Sequence, residues 1–442
     1  MKHYDIIIIG FGPGGIVSAM MSRRLYDGKS VAIITKKQKY VVPCAIPYMN
    51  YTLDPEQNIL PYEMVEKAGI KVIEDEIKEI IPNEKKLIGN EIYSYEKLII
   101  ATGSKPITLP IPGIEKKHIY PIYKNFDHLK WLNKDLEKAK NVVIIGASFA
   151  GLEFADELSN LNLNITVIDI LPDVVYNAFD EFMREKIRES LKEKGVKFIF
   201  NSKVLAFEGD EYVKGVKLEK ETIPADLVIL ATGVKPNSNL AKNAGIELNE
   251  FGFIKVNAFQ ETSVKDIFAI GDVAEKIDFF TLKPSKLMLA TIACEEARIA
   301  ALNLYTKVLS KELTLPVYST IISGMAFANA GLTLTQAKRL GYDVIVGEIN
   351  TYDKHPPTLP KSQIIKGKML FTKDGTIIGV QMFGSKNIGE IINLAAYLIQ
   401  KRAKIDDIIN MKAATQPWLT AAPTSLPLVI GAFDAYAKMI KK

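Results

Sequence analysis

The chain begins with an apolar run from Tyr4 to Ile9 that ends at a glycine. A run of this length bounded by glycine is typical of a strand buried on both faces of a parallel sheet. The segment from Ile16 to Leu25 then has the pattern of a helix. The hydrophobic and polar positions therefore predict a strand, a glycine-rich turn and a helix at the start of the chain.

The same order of elements recurs in the middle of the chain. An apolar run from Asn141 to Ile145 precedes a second turn and a predicted helix through Leu158, and the strand Ile165 to Ile168 follows. Two further strands each lead through Ala-Thr-Gly, at Lys97 to Pro106 and at Val228 to Pro236. This internal repeat predicts two similar α/β units in one chain.

The first turn carries Gly10, Gly12 and Gly15 at the positions of a G-x-G-x-x-G motif. The first glycine permits the tight turn, the second lets a pyrophosphate approach the backbone, and the third lets the helix pack on the strand. The phosphates then meet the helix N-terminus. A glycine-rich turn without a ligand is the alternative, but the placement between a strand and a helix favours a dinucleotide site. The next strand, Val31 to Ile34, ends in Thr35 in place of the usual ribose-binding acid, although a hydroxyl can still bind the ribose.

The second turn carries Gly146, Ser148 and Gly151, with the serine in place of the middle glycine. Asp169 follows at the end of the next strand, about 20 residues on, where an acid binds the ribose hydroxyls of NAD. No arginine follows Asp169, so a 2′-phosphate has no evident partner. We therefore expect NADH to be preferred to NADPH.

A late strand, Ile267 to Ile270, runs into Gly271-Asp272, and a helix is predicted from about Pro284 to Tyr305. A Gly-Asp pair is commonly a simple turn. Beside two dinucleotide units, however, an acid at this place can reach the middle of a long dinucleotide.

Composition narrows the class of protein. The 442 residues are 48% hydrophobic and 24% charged with a net charge of +5, which is ordinary for a globular chain of two to four domains. No dense basic stripe indicates nucleic acid or a membrane surface as a partner. The two cysteines, Cys44 and Cys294, exclude a disulfide framework and fit a reducing compartment. No stretch approaches the roughly 20 apolar residues of a spanning helix, so we expect a soluble cytoplasmic protein.

Together these motifs resemble the flavin-dependent pyridine nucleotide-disulfide oxidoreductases over essentially the whole chain. The resemblance implies an α/β fold with two Rossmann-like dinucleotide-binding domains, one inserted in the other, and a C-terminal α+β dimerisation domain. The expected segments are 1–114 and 244–318 for the FAD-binding domain, 115–243 for the NAD(P)H-binding domain and 319–442 for the dimerisation domain. A homodimer is also implied.

The resemblance further implies which residues contact each cofactor. For FAD these are Gly10, Gly12, Pro13, Gly14, Gly15, Thr35, Lys36, Ala101, Thr102, Gly103, Gly271 and Asp272. For NADH these are Gly146, Ser148, Gly151, Glu153, Asp169 and Gly233. We assign no residue to a metal site.

The segment Cys44-Ala-Ile-Pro47-Tyr48 resembles the single-cysteine branch of this family, whose motif is C-x-x-P-Y. That branch contains coenzyme A disulfide reductases, NADH oxidases, NADH peroxidases and persulfide or polysulfide reductases. Position 49 is Met49, so the C-x-x-x-x-C pair of other branches is absent. Cys44 is the expected catalytic residue, with Pro47 and Tyr48 at the substrate. A small buried apolar residue is the ordinary state of an intracellular cysteine, and we expect it for Cys294.

Four features bear on the substrate. The water-forming oxidases and the peroxidases of the branch carry a histidine in the first turn, where this chain has Pro13. Lipoamide-type reductases carry a His-Glu pair where this chain has Thr415-Gln416-Pro417. Arg24 resembles an arginine that holds the nucleotide part of coenzyme A, although an exposed basic helix end explains it equally well. The serine and asparagine that usually precede the cysteine are absent, since this chain has Tyr40 and Pro43 there.

We therefore predict that NADH reduces FAD and that electrons pass to sulfur at the Cys44 thiolate, in the reduction of a disulfide, persulfide or polysulfide. Coenzyme A disulfide is one candidate. Lys36, Lys37 and Lys39 and a helix N-terminus are expected to lower the pKa of Cys44. Two alternatives are an NADH oxidase that reduces O2 at the flavin, mainly to hydrogen peroxide, and a flavoprotein that donates electrons to a protein partner.

Overall fold

The computed structural model describes residues 1–441, which form two compact units. Unit 1 comprises residues 1–109, 121–137 and 232–314, and unit 2 comprises 110–120, 138–231 and the described residues from 315 onward. The division of the chain into four segments stays a prediction. Among the described helices, none is both long enough and apolar enough to cross a membrane.

Unit 1 is built on a seven-stranded sheet with Lys2–Ile9 near its centre. Ile6 and Ile8 belong to one buried cluster, and Ile7 and Ile9 belong to another. Both faces of the strand are therefore covered, which explains why its sequence is continuously apolar and not alternating. In spatial order the strands are Lys71–Glu74, Val31–Thr35, Lys2–Ile9, Ile92–Ile100, Lys86–Ile88 and Glu79–Ile81, with Ile267–Ala269 also paired to Ile92–Ile100.

Five strands of this sheet run parallel, and the hairpin of Glu79–Ile81 and Lys86–Ile88 is antiparallel. The helices of unit 1 are Pro13–Leu25, Glu63–Glu66, Phe126–Leu136, Asn239–Asn243 and Ala290–Asn303. Its 3₁₀ turns are Pro43–Ala45, Pro47–Asn50, Pro55–Asn58, Pro82–Glu84 and Gly271–Val273. Short antiparallel pairs join Tyr40–Val41 to Ile59–Leu60, Ser104–Pro106 to Val234–Pro236, and Lys276–Ile277 to Pro284–Ser285.

Unit 2 contains a second sheet of five strands, with Asn141–Ile145 at its centre. Four of the five residues of this strand are buried, so it repeats the pattern of the N-terminal strand. In spatial order the strands are Ile119–Pro121, Leu227–Leu230, Asn141–Ile145, Asn164–Ile168 and Lys197–Ile199. A smaller sheet contains Ala206–Glu208, Gly215–Lys217 and Thr222–Pro224, and the helices are Phe149–Leu158 and Glu181–Glu193.

The C-terminal part of unit 2 is an antiparallel sheet covered by helices. On the helix Ile388–Gln400, the buried residues Ile388, Ile392, Ala395 and Ile399 recur at helical spacing, which is the pattern of one face packed on a sheet. The strands in spatial order are Val317–Ile322, Met325–Gly331, Ile377–Gly384, Ile364–Thr372 and Val344–Tyr352. The other helices are Leu334–Arg339, Ile405–Ile409 and Pro427–Ile440.

Several predicted elements differ in their bounds from the observed ones, and three of them differ most. The helix predicted from Pro284 begins at Ala290, because Pro284–Ser285 pairs as a strand with Lys276–Ile277. The predicted strand Lys97 to Pro106 is interrupted at residues 101–103 and resumes at Ser104. The predicted strand Val228 to Pro236 is likewise interrupted at residues 231–233 and resumes at Val234. In each case a tertiary pairing changes what local pattern alone predicts.

Candidate dinucleotide and thiol sites

The first turn needs glycine at two positions because backbone segments touch there. A Cβ at Gly10 would lie 2.3 Å from the carbonyl oxygen of Ala101, and Gly10 has φ +117°. A Cβ at Gly15 would lie 2.0 Å from the carbonyl oxygen of Gly10. These two glycines therefore hold the strand, turn and helix in close contact.

Gly12 is different, because the protein itself does not require a glycine there. It is the N-cap of the helix Pro13–Leu25 with φ −81°, and no heavy atom of residues 1–441 lies within 4 Å of a Cβ placed on it. Within the described part of the chain, no side chain caps this helix. The first turn thus leaves open space in front of a helix N-terminus that lacks a side-chain cap, which fits the pyrophosphate of FAD. Pro13 occupies the first helical position, and Gly14 follows it, with a Cβ there 3.3 Å from the Ala293 carbonyl oxygen.

Thr35 and Lys36, which follow the next strand, are both engaged within unit 1. Thr35 is 3% exposed, and its hydroxyl donates to the hydroxyl of Tyr40. The ammonium of Lys36 lies 2.6 Å from the carboxylate of Glu76. Their roles toward the ribose and FAD stay predictions.

The residues Ala101, Thr102 and Gly103 connect the sheet to the following short strand. The amide of Ala101 donates to the carbonyl of Ile9, which holds this segment beside the first turn. Thr102 donates its hydroxyl to the carbonyl of Asn237 at 2.8 Å, and Gly103 accepts from the Asn237 amide. The Ala-Thr-Gly segment is therefore fixed between two parts of unit 1.

Asp272 is held as a carboxylate by two neighbours that the sequence alone did not indicate. Ser104 donates its hydroxyl to Asp272 at 2.7 Å, and the ammonium of Lys124 lies at 3.1 Å. Burial raises the pKa of Asp272, but the charge of Lys124 and these two hydrogen bonds outweigh burial, so its pKa lies below the ordinary value. An ionised acceptor after Gly271 suits the hydroxyl groups of a dinucleotide. Ser104 directly follows the Ala-Thr-Gly segment, whereas no sequence signal marks Lys124.

The second turn closes in the same way as the first but caps its own helix. A Cβ at Gly151 would lie 2.0 Å from the carbonyl oxygen of Gly146. Ser148 is the N-cap of the helix Phe149–Leu158; its hydroxyl accepts from the Gly151 amide at 3.4 Å and donates to the Ala231 carbonyl at 3.1 Å. One amide of this helix N-terminus is therefore already bonded to a side chain.

Asp169 lies at the end of the next strand, as its spacing predicts, and it also supports the turn. Its carboxylate accepts from the backbone amide of Ala147 at 2.6 Å and from that of Leu171 at 2.8 Å. These two hydrogen bonds to the backbone hold the Asp169 carboxylate close to the second turn, where the ribose is bound in a site of this kind.

Glu153 lies one turn into the same helix and is bonded to a residue far away in sequence. Thr320 donates its hydroxyl to the Glu153 carboxyl at 2.6 Å. The pKa of Glu153 is raised to about 7, because burial and the nearby Asp156 carboxylate together outweigh the Thr320 hydrogen bond, which lowers it. By contrast, Gly233 belongs to unit 1, where its carbonyl accepts from the amide of Ile107. The structure thus groups five of the six predicted NADH residues in unit 2.

Cys44 is exposed, in the 3₁₀ turn Pro43–Ala45. The helix N-terminus that we expected at the thiol is therefore only a three-residue turn. Lys36 pairs with Glu76, and the ammonium of Lys39 lies 5.1 Å from the ring centre of Phe126. These two lysines are engaged with other side chains, and their expected effect on the thiol stays a prediction.

The loop after Cys44 is held by the side-chain amides of three asparagines. Asn58, 2% exposed, donates to the sulfur of Met49 at 3.0 Å, and Asn133 donates to the Met49 carbonyl at 2.8 Å. Asn50 donates to the carbonyl of Pro47 at 2.6 Å, and within the described chain its buried Oδ1 atom has no hydrogen-bond partner. The thiol is thus presented by a fixed loop in which Pro47 is buried and the next residue, Tyr48, is partly exposed.

Arg24 is exposed and lines an open hollow of about 640 Å³ in unit 1. The lining residues are Met20, Met21, Arg23, Arg24, Asp27 and Ala68. The hollow therefore combines apolar side chains with two guanidinium groups.

Cys294 is half-buried, not fully buried as expected, and burial raises its pKa, which keeps it a thiol. His355 lies outside the motifs that the sequence analysis used. Its amide donates to the Pro417 carbonyl, and its ring Nδ1 lies 3.0 Å from the Thr420 carbonyl oxygen. A histidine thus contacts the segment in which the sequence showed no His-Glu pair.

Comparison with known proteins shows the family. Residues 4–297 match the family described as pyridine nucleotide-disulphide oxidoreductase, and residues 317–426 match its dimerisation domain. An NADH oxidase of Methanocaldococcus jannaschii is 28% identical over 456 residues, covering 99% of both chains. An NAD(P)H coenzyme A polysulfide/persulfide reductase of Pyrococcus horikoshii is 29% identical and covers 96% of this chain and 97% of the relative. The solved structure of an NAD-dependent persulfide reductase from A. fulgidus superposes with a TM-score of 0.90 at 26% identity, covering 98% of this chain and 83% of that one.

These matches confirm the predicted fold class, with its Rossmann domains and a C-terminal dimerisation domain. They also confirm the predicted class of enzyme, an NAD(P)H-dependent flavin oxidoreductase that uses FAD and a nicotinamide nucleotide. The chain belongs to the pyridine nucleotide-disulphide oxidoreductase family.

Proposed function

We propose that this protein uses NADH to reduce a sulfur–sulfur bond in a small molecule through Cys44. For a disulfide the overall reaction is RSSR + NADH + H⁺ → 2 RSH + NAD⁺; for a persulfide the products are RSH and H₂S. FAD, when bound, relays the two electrons from NADH to sulfur. The observation that carries the proposal is an exposed thiol on a loop fixed by asparagine side-chain amides, in a chain of this family.

Cys44 would attack one sulfur of the substrate as a thiolate, forming a mixed disulfide and releasing the other sulfur as a thiolate or hydrosulfide. Two electrons then break the mixed disulfide, which releases the second thiolate and restores Cys44. No second cysteine lies in the C-x-x-P-Y motif, so the substrate's own sulfur completes the pair. A donor group on a bound molecule would satisfy the buried Oδ1 atom of Asn50.

Coenzyme A is the candidate carrier of the substrate sulfur. The hollow at Arg24 offers guanidinium groups for phosphates and methionine side chains for an apolar body. The relative from Pyrococcus horikoshii is named for coenzyme A polysulfide or persulfide. Replacement of Arg24 by Ala should raise KM for coenzyme A disulfide and leave KM for inorganic polysulfide unchanged, with Lys71→Ala, an exposed residue of the same unit, as the control.

NADH is the preferred nucleotide in this proposal. Asp169 places a carboxylate at the end of the strand after the second turn, and a carboxylate binds two ribose hydroxyls but repels a 2′-phosphate. The ratio of kcat/KM for the two nucleotides measures this preference, and Asp169→Asn should reduce it.

A homodimer is proposed from the dimerisation domain and from its exposed apolar side chains. On the helix Pro427–Ile440, Phe433, Tyr436 and Ile440 follow one face at a spacing of three and four residues and are 44–69% exposed. Such a stripe is typical of an interface that a second subunit covers. Phe433→Asp should shift the protein toward the monomer in light scattering, whereas Lys438→Asp, elsewhere on the same helix, should not.

An NADH oxidase is the second candidate, because the relative from Methanocaldococcus jannaschii bears that name. It predicts direct reaction of the reduced flavoprotein with O2, without Cys44.

Anaerobic stopped-flow distinguishes the two functions. The protein is reduced with NADH and mixed with coenzyme A disulfide, polysulfide or air, and wild type is compared with Cys44→Ser. Rapid reoxidation by a sulfur substrate in the wild type alone supports the reductase and names the acceptor. Equal reoxidation of both proteins by O2, with none by sulfur, rejects the reductase in favour of the oxidase.

A further inference from the structure

Three charged side chains form a buried cluster beside the Gly271–Val273 turn of unit 1. Lys276 and Glu296 have fully buried side chains, and the side chain of Lys311 is 7% exposed. None of them belongs to the motifs from which the cofactor sites were predicted. We call this set the charge cluster.

The charge cluster grips both backbone groups of Gly271. Its amide donates to the carboxylate of Glu296 at 2.7 Å, and its carbonyl accepts from the ammonium of Lys276 at 2.6 Å. Lys276 also donates to the carbonyl of Ala274 at 2.8 Å. A charged side chain therefore fixes each side of the residue that directly precedes Asp272.

The remaining contacts complete the pairing of the charges. The carboxylate of Glu296 lies 3.6 Å from Lys276 through one oxygen and contacts Lys311 through the other. The pKa of Lys276 lies below its ordinary value, because burial and the positive charge of Lys311 outweigh the negative charges of Glu296 and Asp272. Two lysines thus share one glutamate in a buried region.

A buried ion cluster is poor evidence for stability, because desolvation offsets the attraction and well-packed apolar residues often serve as well. What such a cluster supplies is a defined geometry, since each member is costly to leave unpaired. Gly271 has φ +74° and offers no side chain of its own to fix the turn. The cluster therefore acts on the orientation of the residue that follows.

We propose that Glu296 and Lys276 are positioning residues for FAD: by clamping Gly271 they hold the Asp272 carboxylate where it meets the dinucleotide. This inference rests on the assignment of Asp272 to FAD, and it is independent of which acceptor Cys44 reduces. Ser104 and Lys124 bind the carboxylate directly, while the cluster fixes the backbone that carries it.

The test measures the rate at which the holoenzyme releases FAD after dilution, followed by the rise in flavin fluorescence. Glu296→Gln keeps the shape but removes the charge that Gly271, Lys276 and Lys311 share, and we expect release to be tenfold faster or more. Lys276→Met should act in the same direction. Lys307→Met is the matched control, because it removes an exposed lysine whose partner Glu261 lies 2.9 Å away in the same unit; it should leave release unchanged.

A double-mutant cycle separates positioning from a general loss of structure. If Glu296 acts through Asp272, Glu296→Gln should add less than twofold to the release rate of Asp272→Asn. If the effects of Glu296→Gln and Asp272→Asn on the FAD release rate multiply, the two residues act independently and the proposal is overturned. If Glu296→Gln fails to fold, an unchanged FAD release rate in Lys276→Met overturns it instead. Unchanged release in Asp272→Asn itself would instead reject the assignment of Asp272 to FAD.

Circular dichroism provides a second readout. A merely structural role predicts that unfolding and flavin release shift together on heating. The proposal predicts that the Lys276→Met protein releases flavin below the temperature at which it unfolds. Flavin release and unfolding at the same temperature in both Lys276→Met and Glu296→Gln would contradict it.

Discussion

The two glycine-rich turns share a motif but treat their helix N-termini in opposite ways. In the first turn Gly12 leaves open space and no side chain caps the helix. In the second turn Ser148 caps the helix and also bonds to Ala231. The free amides of a helix N-terminus that no side chain caps are available to hydrogen-bond a ligand. A capped N-terminus must give up the bond to its capping side chain before that amide can bind a ligand. The difference suits a cofactor that stays bound in the first turn and one that exchanges in the second.

A second contrast lies one helical turn further on. Glu153 follows Gly146 of the second turn at the same distance along the chain at which Val17 follows Gly10 of the first turn. The second helix therefore carries a half-buried carboxyl of raised pKa where the first has an apolar side chain. The repeat conserves the turn geometry while the side chains along it specialise.

The largest expected effect breaks the geometry that the two turns share. Gly15→Ala places a methyl group 2.0 Å from the Gly10 carbonyl oxygen, so backbone must move, which costs about 3 kcal/mol or more. We expect a protein with little bound flavin and a lowered melting temperature, measured by absorbance and calorimetry. Gly389→Ala is the control, because a Cβ there meets nothing within 4 Å. A Gly15→Ala protein with normal flavin content would show that the close approach is not needed.

The next effect concerns the carboxyl of Glu153, which replaces the apolar side chain at the matching position of the first helix. Its carboxyl has an ordinary pKa of 4.5 that burial raises to about 7. The folded state therefore favours the protonated form, and the wild type loses unfolding free energy as the pH rises from about 4.5 through about 7. Glu153→Gln keeps the acceptor for Thr320 and removes this loss, so at pH 8 the variant should be more stable by on the order of 2 kcal/mol. Urea unfolding from pH 5 to 8.5 measures the difference, and parallel profiles for the two proteins would rule out a raised pKa.

A smaller effect is expected when the open space in front of Gly12 is filled. Gly12→Ala leaves the fold intact, because φ −81° suits alanine and its Cβ contacts nothing within 4 Å. The methyl group instead fills the space that a pyrophosphate would use, so FAD release should be about tenfold faster, a change of about 1.4 kcal/mol. The stability of the flavin-free protein should fall by no more than about 1 kcal/mol. Normal FAD release would place the phosphates elsewhere.

The smallest effect is expected from a substitution that gives the second turn the glycine pattern of the first. Ser148→Gly frees the Gly151 amide and removes a side chain from the approach of the nucleotide. We expect the dissociation constant of NAD⁺, measured by calorimetry, to fall about threefold, at a loss of a few tenths of a kcal/mol in stability. Weaker binding would show that the serine hydroxyl itself contacts the nucleotide.

Local pattern predicted most of the strands and helices that form the two turns. The run from Tyr4 to Ile9 and the segment Asn141 to Ile145 are central strands, and the second helix ends at Leu158 as expected. The pattern did not predict that Pro284–Ser285 pairs as a strand, because its partner lies in the segment before it and offers only two residues. The half-buried state of Cys294 was also missed, since an apolar helix pattern does not specify how far each position is covered.

The sequence by itself determined the family, the two turns and the single thiol of the C-x-x-P-Y motif, because glycine spacing and apolar runs act over a few neighbouring residues. Only the tertiary structure decided which side chains meet those motifs from a distance. Thr320 reaches Glu153, Lys124 reaches Asp272, and His355 reaches the segment at Thr420. These contacts depend on how strands and helices pack, and no local rule of propensity or spacing encodes such packing.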